Sequence, residues 1–236
     1  MSPAEFGVNF FVALFALIDP IGCIPVFAAA TRGANVNGRR LVSLYITLFM
    51  LGFLAFFYFT GLSLLQFFGI SLPAFRIAGG ILLLLLGLDM TRNDMAEQFA
   101  DKTLEIESDA RRYAKERFER LVVPFAMPLL IGPAAISAVI IYAGEAKPFG
   151  VAGTAAGLAA IVGVSIVTLI AFLLTPLISR VFGRIGMTIV VRVSGLILCA
   201  MAVQFIIIGL NDATHGFVRQ SVAAPYAASA AKSAPR

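Results

Sequence analysis

From Leu41 to Phe75 the chain carries no Lys, Arg, Asp, Glu or His, and from Phe6 to Ala30 its only charge is Asp19. Stretches like these constrain the fold more than anything else in the sequence. A hydrocarbon core about 30 Å thick is crossed by about 20 apolar residues in helical form, and helices satisfy their own backbone there. The balance of the chain agrees: 60% of residues are hydrophobic, 13% are charged and the mean hydropathy is +0.94. These values specify an integral membrane protein, all-α, with no stretch outside the apolar runs long enough to bury a soluble core. A net charge of +5 is no sign of nucleic acid here, because much of the Lys and Arg flanks the runs. Cys23 and Cys199 lie inside apolar runs, so neither belongs to a disulfide framework. His215 is the single histidine, which leaves no metal-ligand spacing. No Lys or Arg precedes the first run, an argument against a cleaved leader.

Six spans are expected, at residues 6–31, 41–60, 72–91, 121–143, 150–175 and 190–210, within one membrane domain covering 1–216. Gly61 to Leu72 is expected to form a short interfacial segment. The connection 92–120 has acids early (Asp94, Glu97, Asp101) and bases late (Arg111, Arg112, Lys115), the order that complements a helix dipole. It reads as an amphipathic helix on lipid headgroups or as a solvated charged linker. Residues 217–236, rich in Ala and Ser, are expected to be disordered. Arg32, Arg39, Arg40, Arg180, Arg184 and the bases of 92–120 outnumber Lys147 and Arg219 on the other side. That excess places 92–120 in the cytoplasm and both termini outside.

Asp19 is near the centre of the first run and is followed by Pro20, Ile21, Gly22 and, shortly after, Pro25. A carboxylate at mid-bilayer costs a few kcal/mol or more, and each proline removes a helical donor, so the first span should be broken there and line a polar cavity. The uncharged run after Arg120 has Gly132-Pro133 at its centre, with Pro124 and Pro128 before it. Phe75-Arg76-Ile77-Ala78-Gly79 and Val191-Arg192-Val193-Ser194-Gly195 also match position by position. The expectation is therefore two three-helix repeats, 6–91 and 121–210, the first helix of each broken at mid-membrane. Three spans per half make the repeats inverted, the arrangement of many secondary transporters.

With these residues in view, the chain resembles the MarC family, six-span small neutral amino acid transporters of the SnatA type. The resemblance rests on Asp19-Pro20-Ile21-Gly22 with Pro25, and on the run from Pro124 to Ser137 centred on Gly132-Pro133. It implies a multi-pass protein of the bacterial or archaeal cytoplasmic (inner) membrane and, as in the characterised branch of the family, movement of glycine, alanine and similar amino acids dependent on the proton-motive force.

A zwitterion needs donors for its carboxylate and acceptors for its ammonium. Helix starts near Gly22 and at Gly132-Pro133 present N–H groups, while Asp19 and freed carbonyls take the ammonium, H+ or Na+. The candidate substrate or coupling residues are Asp19, Pro20, Ile21, Gly22, Pro25, Gly132, Pro133, Ala134, Ser137 and Gln204. Asp19 has a structural alternative, capping the second half-helix. Arg76 and Arg192 are candidates for snorkelling to headgroups or for gating pairs with Asp89 or Asp212. No cofactor and no metal are expected, and the expected partners are a small zwitterion and lipid. An enzyme is not expected, because the chain has no His-Glu-x-x-His, no Gly-x-Ser-x-Gly and no second mid-span acid. A channel or exporter for another small solute and a non-transporting membrane protein are the rival readings.

Overall fold

The computed structural model describes residues 2–31, 34–92, 114–116, 118 and 131–214. Most of the charged connection, the prolines Pro124 and Pro128, and the tail from His215 onward lie outside the described residues, with the expectations attached to them. Among the described residues every regular element is a helix.

α1 (Pro3–Ile18) opens with a capping box in which Ser2 and Glu5 satisfy each other's backbone N–H groups. Its buried residues Phe6, Phe10 and Leu14 recur every fourth position and form one stripe. α2 (Cys23–Ala30) follows after a bend of 51° and is buried along nearly its whole length. α3 (Val36–Phe67) is capped by the Asn35 side chain and buries Val42, Ile46, Met50, Leu54 and Tyr58, again four apart. Its opposite face exposes Leu44, Leu48, Phe56 and Phe59. A helix apolar on all sides is a lipid-facing helix, since a water-facing one would be polar there.

The segment after Gly61 differs from the expected interfacial piece. α3 continues unbroken to Phe67, because nothing between Gly61 and Gln66 removes a backbone donor, and the chain turns only at Gly69, which has φ 65°. At 32 residues α3 is about 48 Å long, more than the core thickness, so it must tilt or project.

α4 (Leu72–Arg92) returns across, and α5 (Pro133–Ala146) begins the described part of the second half. A 3-10 turn at Lys147–Phe149 and Gly150 at φ 60° separate α5 from α6 (Gly150–Leu173). α7 (Thr175–Ala213) kinks at Gly183, and its spanning part is Ile185–Ala213. By length and apolarity, four stretches qualify as membrane spans, Val36–Phe67, Leu72–Arg92, Ala134–Leu173 and Ile185–Ala213. The bent pair α1–α2 makes a fifth if it counts as one span.

Running directions follow from the side-chain contacts. The Phe6 ring meets Tyr142 and Phe149, the Tyr58 hydroxyl reaches the Thr154 carbonyl, and Arg76 pairs with Asp212. One end of the bundle therefore gathers the starts of α1, α4 and α6 and the ends of α3, α5 and α7. The first and last described residues lie on that same side. The most extensive helix pairing is the antiparallel one between α4 and α7. It is made close by small residues: a Cβ built at Gly87 would lie 2.8 Å from the Gly195 carbonyl oxygen, and one at Gly195 would lie 2.8 Å from that of Gly87. Glycines that admit backbone to backbone are how membrane helices pack without a hydrophobic force to drive them.

Candidate functional site

The break between α1 and α2 is built by four consecutive residues. Pro20 has no N–H, which withdraws the donor that would have reached Ala16. Asp19 adopts the left-handed conformation (φ 43°, ψ 64°), the one non-glycine residue with positive φ among those described. Such a conformation costs on the order of 1 kcal/mol, least for Asp and Asn, whose short side chains bond locally. Asp19 does so here, as its Oδ1 accepts from the Gly22 N–H at 3.1 Å while its backbone carbonyl accepts from Cys23 at 3.1 Å. The carboxylate thus caps α2, the structural role set out above.

Capping does not exhaust it. The Ser194 hydroxyl of α7 hydrogen-bonds to the same carboxylate. A Cβ at Gly22 would overlap both the carboxylate and this hydroxyl, so the junction closes only because residue 22 is glycine. A half-buried carboxyl thus sits where α2 starts and α7 passes, held by neutral donors. Pro20 and Pro25 are buried around it, whereas the Ile21 side chain is 55% exposed and turns away from the enclosed side. The bend is off-centre along the pair, with 16 residues before it and 8 after. Gly195, next to Ser194, lies against Met90 and Thr91 near the end of α4. The break is therefore displaced toward that end of the bundle, because α1 is twice as long as α2.

Gly132 is extended (φ −64°, ψ 162°) and is the N-cap of α5, with Pro133 in the first helical turn and Ala134 buried behind it. Proline suits this position, where its missing N–H removes nothing. Ser137 is fully buried and its hydroxyl donates to the Phe75 carbonyl of α4 at 3.4 Å, which ties α5 to the start of α4. Gln204 is half-buried on α7.

Near the gathered end lies a cleft of about 220 Å³ between α1, α4, α5 and α7. Ala13 and Leu17 of α1 and Met201 and Phe205 of α7 wall it, and Arg76, Tyr142 and Glu145 supply its polar groups. Arg76 donates through Nη1 to Asp212 at 2.6 Å. Of the two candidate arginines, Arg76 thus forms the pair with Asp212, while Arg192 and Asp89 are exposed. Ser194, Tyr142 and Glu145 were absent from the residues singled out in the sequence. A signal existed for two of them: Ser194 is the polar partner of Ala78 in the repeated segment, and Glu145 is the only acid between Glu119 and Asp212.

A family model described as the MarC family integral membrane protein matches residues 4–214, nearly the whole described chain. The chain belongs to the MarC family. Among MarC relatives, a UPF0056 membrane protein of Methanocaldococcus jannaschii is 37% identical over 209 residues, covering 89% of this chain and 98% of the relative. One of Aquifex aeolicus is 33% identical over 211 residues, covering 88% and 95%. The UPF0056 membrane protein YhcE of Escherichia coli K12 is 32% identical over 210 residues, covering 89% and 94%. Their names place them in membranes of bacteria and archaea and state no activity. No solved structure matches this MarC chain.

Proposed function

We propose that this MarC protein is a secondary carrier of small neutral amino acids, glycine- or alanine-like, coupled to an H+ or Na+ gradient across the cytoplasmic membrane. The observation that carries the reading is the Asp19 carboxylate, set in a broken helix and held by the Gly22 N–H and the Ser194 hydroxyl. A carboxylate within an apolar span is costly and marks an ion or substrate pathway by default. Its present partners are neutral, so it can exchange a proton, a sodium ion or a substrate ammonium without first breaking an ion pair. The α5 start at Gly132 offers a helix N-terminus of the kind that receives anionic substrate groups.

The fold reading that accompanies this function is six spans in two inverted three-helix repeats. Its support is the opposite running direction of corresponding helices, the antiparallel glycine seam between α4 and α7, and the recurrence of Arg76 and Gly79 as Arg192 and Gly195. Both termini outside follows from the charge count. No step here is an enzyme's: the chemistry is binding, ion exchange and reorientation.

The test is uptake by proteoliposomes containing the purified chain, with a panel of labelled amino acids under imposed proton and sodium gradients. A carrier gives saturable, gradient-driven accumulation and counterflow of glycine or alanine. Flux that does not saturate and shows no counterflow would make the protein a channel, and no flux of any panel member would remove the reading.

A further inference from the structure

Three polar groups play no part in the Asp19 junction and share one cleft: the Arg76 guanidinium, the Tyr142 phenol and the Glu145 carboxylate. The charges of Arg76 and Glu145 both act on the Tyr142 hydroxyl, so the three belong to one electrostatic neighbourhood. We propose that this cleft is an outer binding subsite for a small zwitterionic amino acid with an apolar side chain, Arg76 receiving the carboxylate and Glu145 the ammonium. The proposal rests on the carrier reading of the Asp19 junction and adds a station ahead of it, since Leu17 walls the cleft and stands two residues before Asp19 in the chain.

Charge distribution is the first argument. The Arg76 side chain is only 16% exposed, while its partner Asp212 is 42% exposed and lies toward water. Only Nη1 is engaged by Asp212, and a guanidinium has five N–H donors in a fork shaped for carboxylates. A cation drawn inward with its acid left outside retains the capacity for a second anion. Glu145 is exposed at the same cleft and accepts on both oxygens. A simple anion would have Glu145 left beside it, and a simple amine would have Arg76. A zwitterion satisfies both.

Size and lining are the second argument. At about 220 Å³ the cleft is smaller than the roughly 300 Å³ at which drug-sized pockets begin, yet it exceeds the volume of a few waters, on the order of 100 Å³, that glycine or alanine occupies. Leu17, Ala138, Ile141 and Phe205 give an apolar wall suited to a methyl group, and a charged side chain would find no further partner there. Tyr142 is fixed by stacking on Phe10 at a ring separation of 4.5 Å, so its hydroxyl is a rigid edge of the subsite.

Isothermal titration of the full chain in detergent tests this with three probes: L-alanine, propionate and ethylamine. Alanine should bind at least about tenfold more tightly than either single-charge analogue, the factor expected of one charge-assisted hydrogen bond. Glu145→Gln, at an exposed site and with folding verified by its melting curve, should weaken alanine about tenfold while propionate, relieved of a neighbouring negative charge, binds no more weakly than to the native chain. Asp212→Asn releases the guanidinium and should tighten propionate. If Glu145→Gln and Arg76→Lys bind alanine like the native chain while Asp19→Asn does not, the outer subsite is refuted and the carrier reading stands. If the native chain binds neither alanine nor glycine, both fall together.

Discussion

The α4–α7 seam carries a polar site at each end, and the two are built on opposite principles. At one end Arg76 and Asp212 form an ion pair at 2.6 Å with the acid 42% exposed. At the other, about 27 Å of helix away along α7, Ser194 helps hold Asp19, whose partners there are neutral. An ion pair near water is strong enough to hold two helices in register and weak enough to open, since exposed pairs contribute about 0–1 kcal/mol. A half-buried carboxyl among apolar helices with only hydroxyl and amide donors suits the exchange role proposed for it, because its charge state decides what it costs. The difference teaches where to look for gating and where for coupling.

The comparison breaks most visibly at Asp19. Asp19→Leu should abolish both exchange and accumulation in proteoliposomes, while Asp19→Asn should lose gradient-driven accumulation and keep some exchange. Full proton-driven accumulation by the Asn variant would show that the residue only caps α2. The seam joining the two sites comes next. Gly195→Val puts a branched side chain against the Gly87 carbonyl and should destabilise the bundle by about 1–3 kcal/mol, read as a lower melting temperature in detergent. No loss of stability would mean that α4 and α7 separate freely. Ser194→Ala removes one hydrogen bond from the carboxylate and should cost about 0.5–1.5 kcal/mol, visible as up to a tenfold rise in the transport KM with the melting curve nearly unchanged. A melting shift without a KM change would reassign Ser194 to packing. The smallest effect is expected at Asp212→Asn, below about 1 kcal/mol in stability and weaker still at high salt. A larger loss would show the mouth pair to be structural rather than a gate.

What could be read in the chain follows distance along it. Pro20 and Gly22 break a helix wherever it folds, and α6 and α4 begin within a residue or two of the expected spans because run length sets them. The length of the uncharged run from Leu41 to Phe75 misled, since it suggested an interfacial piece from Gly61, whereas α3 runs on to Phe67 and Gly61 packs under Ile140. Nothing local says that Ser194 meets Asp19, which depends on α2 crossing α7, or that Glu145 and Arg76 face one cleft.

The sequence by itself determined a membrane protein of helices and the place of the break, because desolvation and proline act on each segment alone. Only the tertiary structure decided which groups share a site: the neutral donors around Asp19, the choice of Arg76 rather than Arg192 for an ion pair, and the cleft at the mouth. Those depend on which faces meet, and in a bundle apolar on every side, hydropathy does not choose the faces. Close glycine packing chooses them, at Gly87 and Gly195, where two backbones come together.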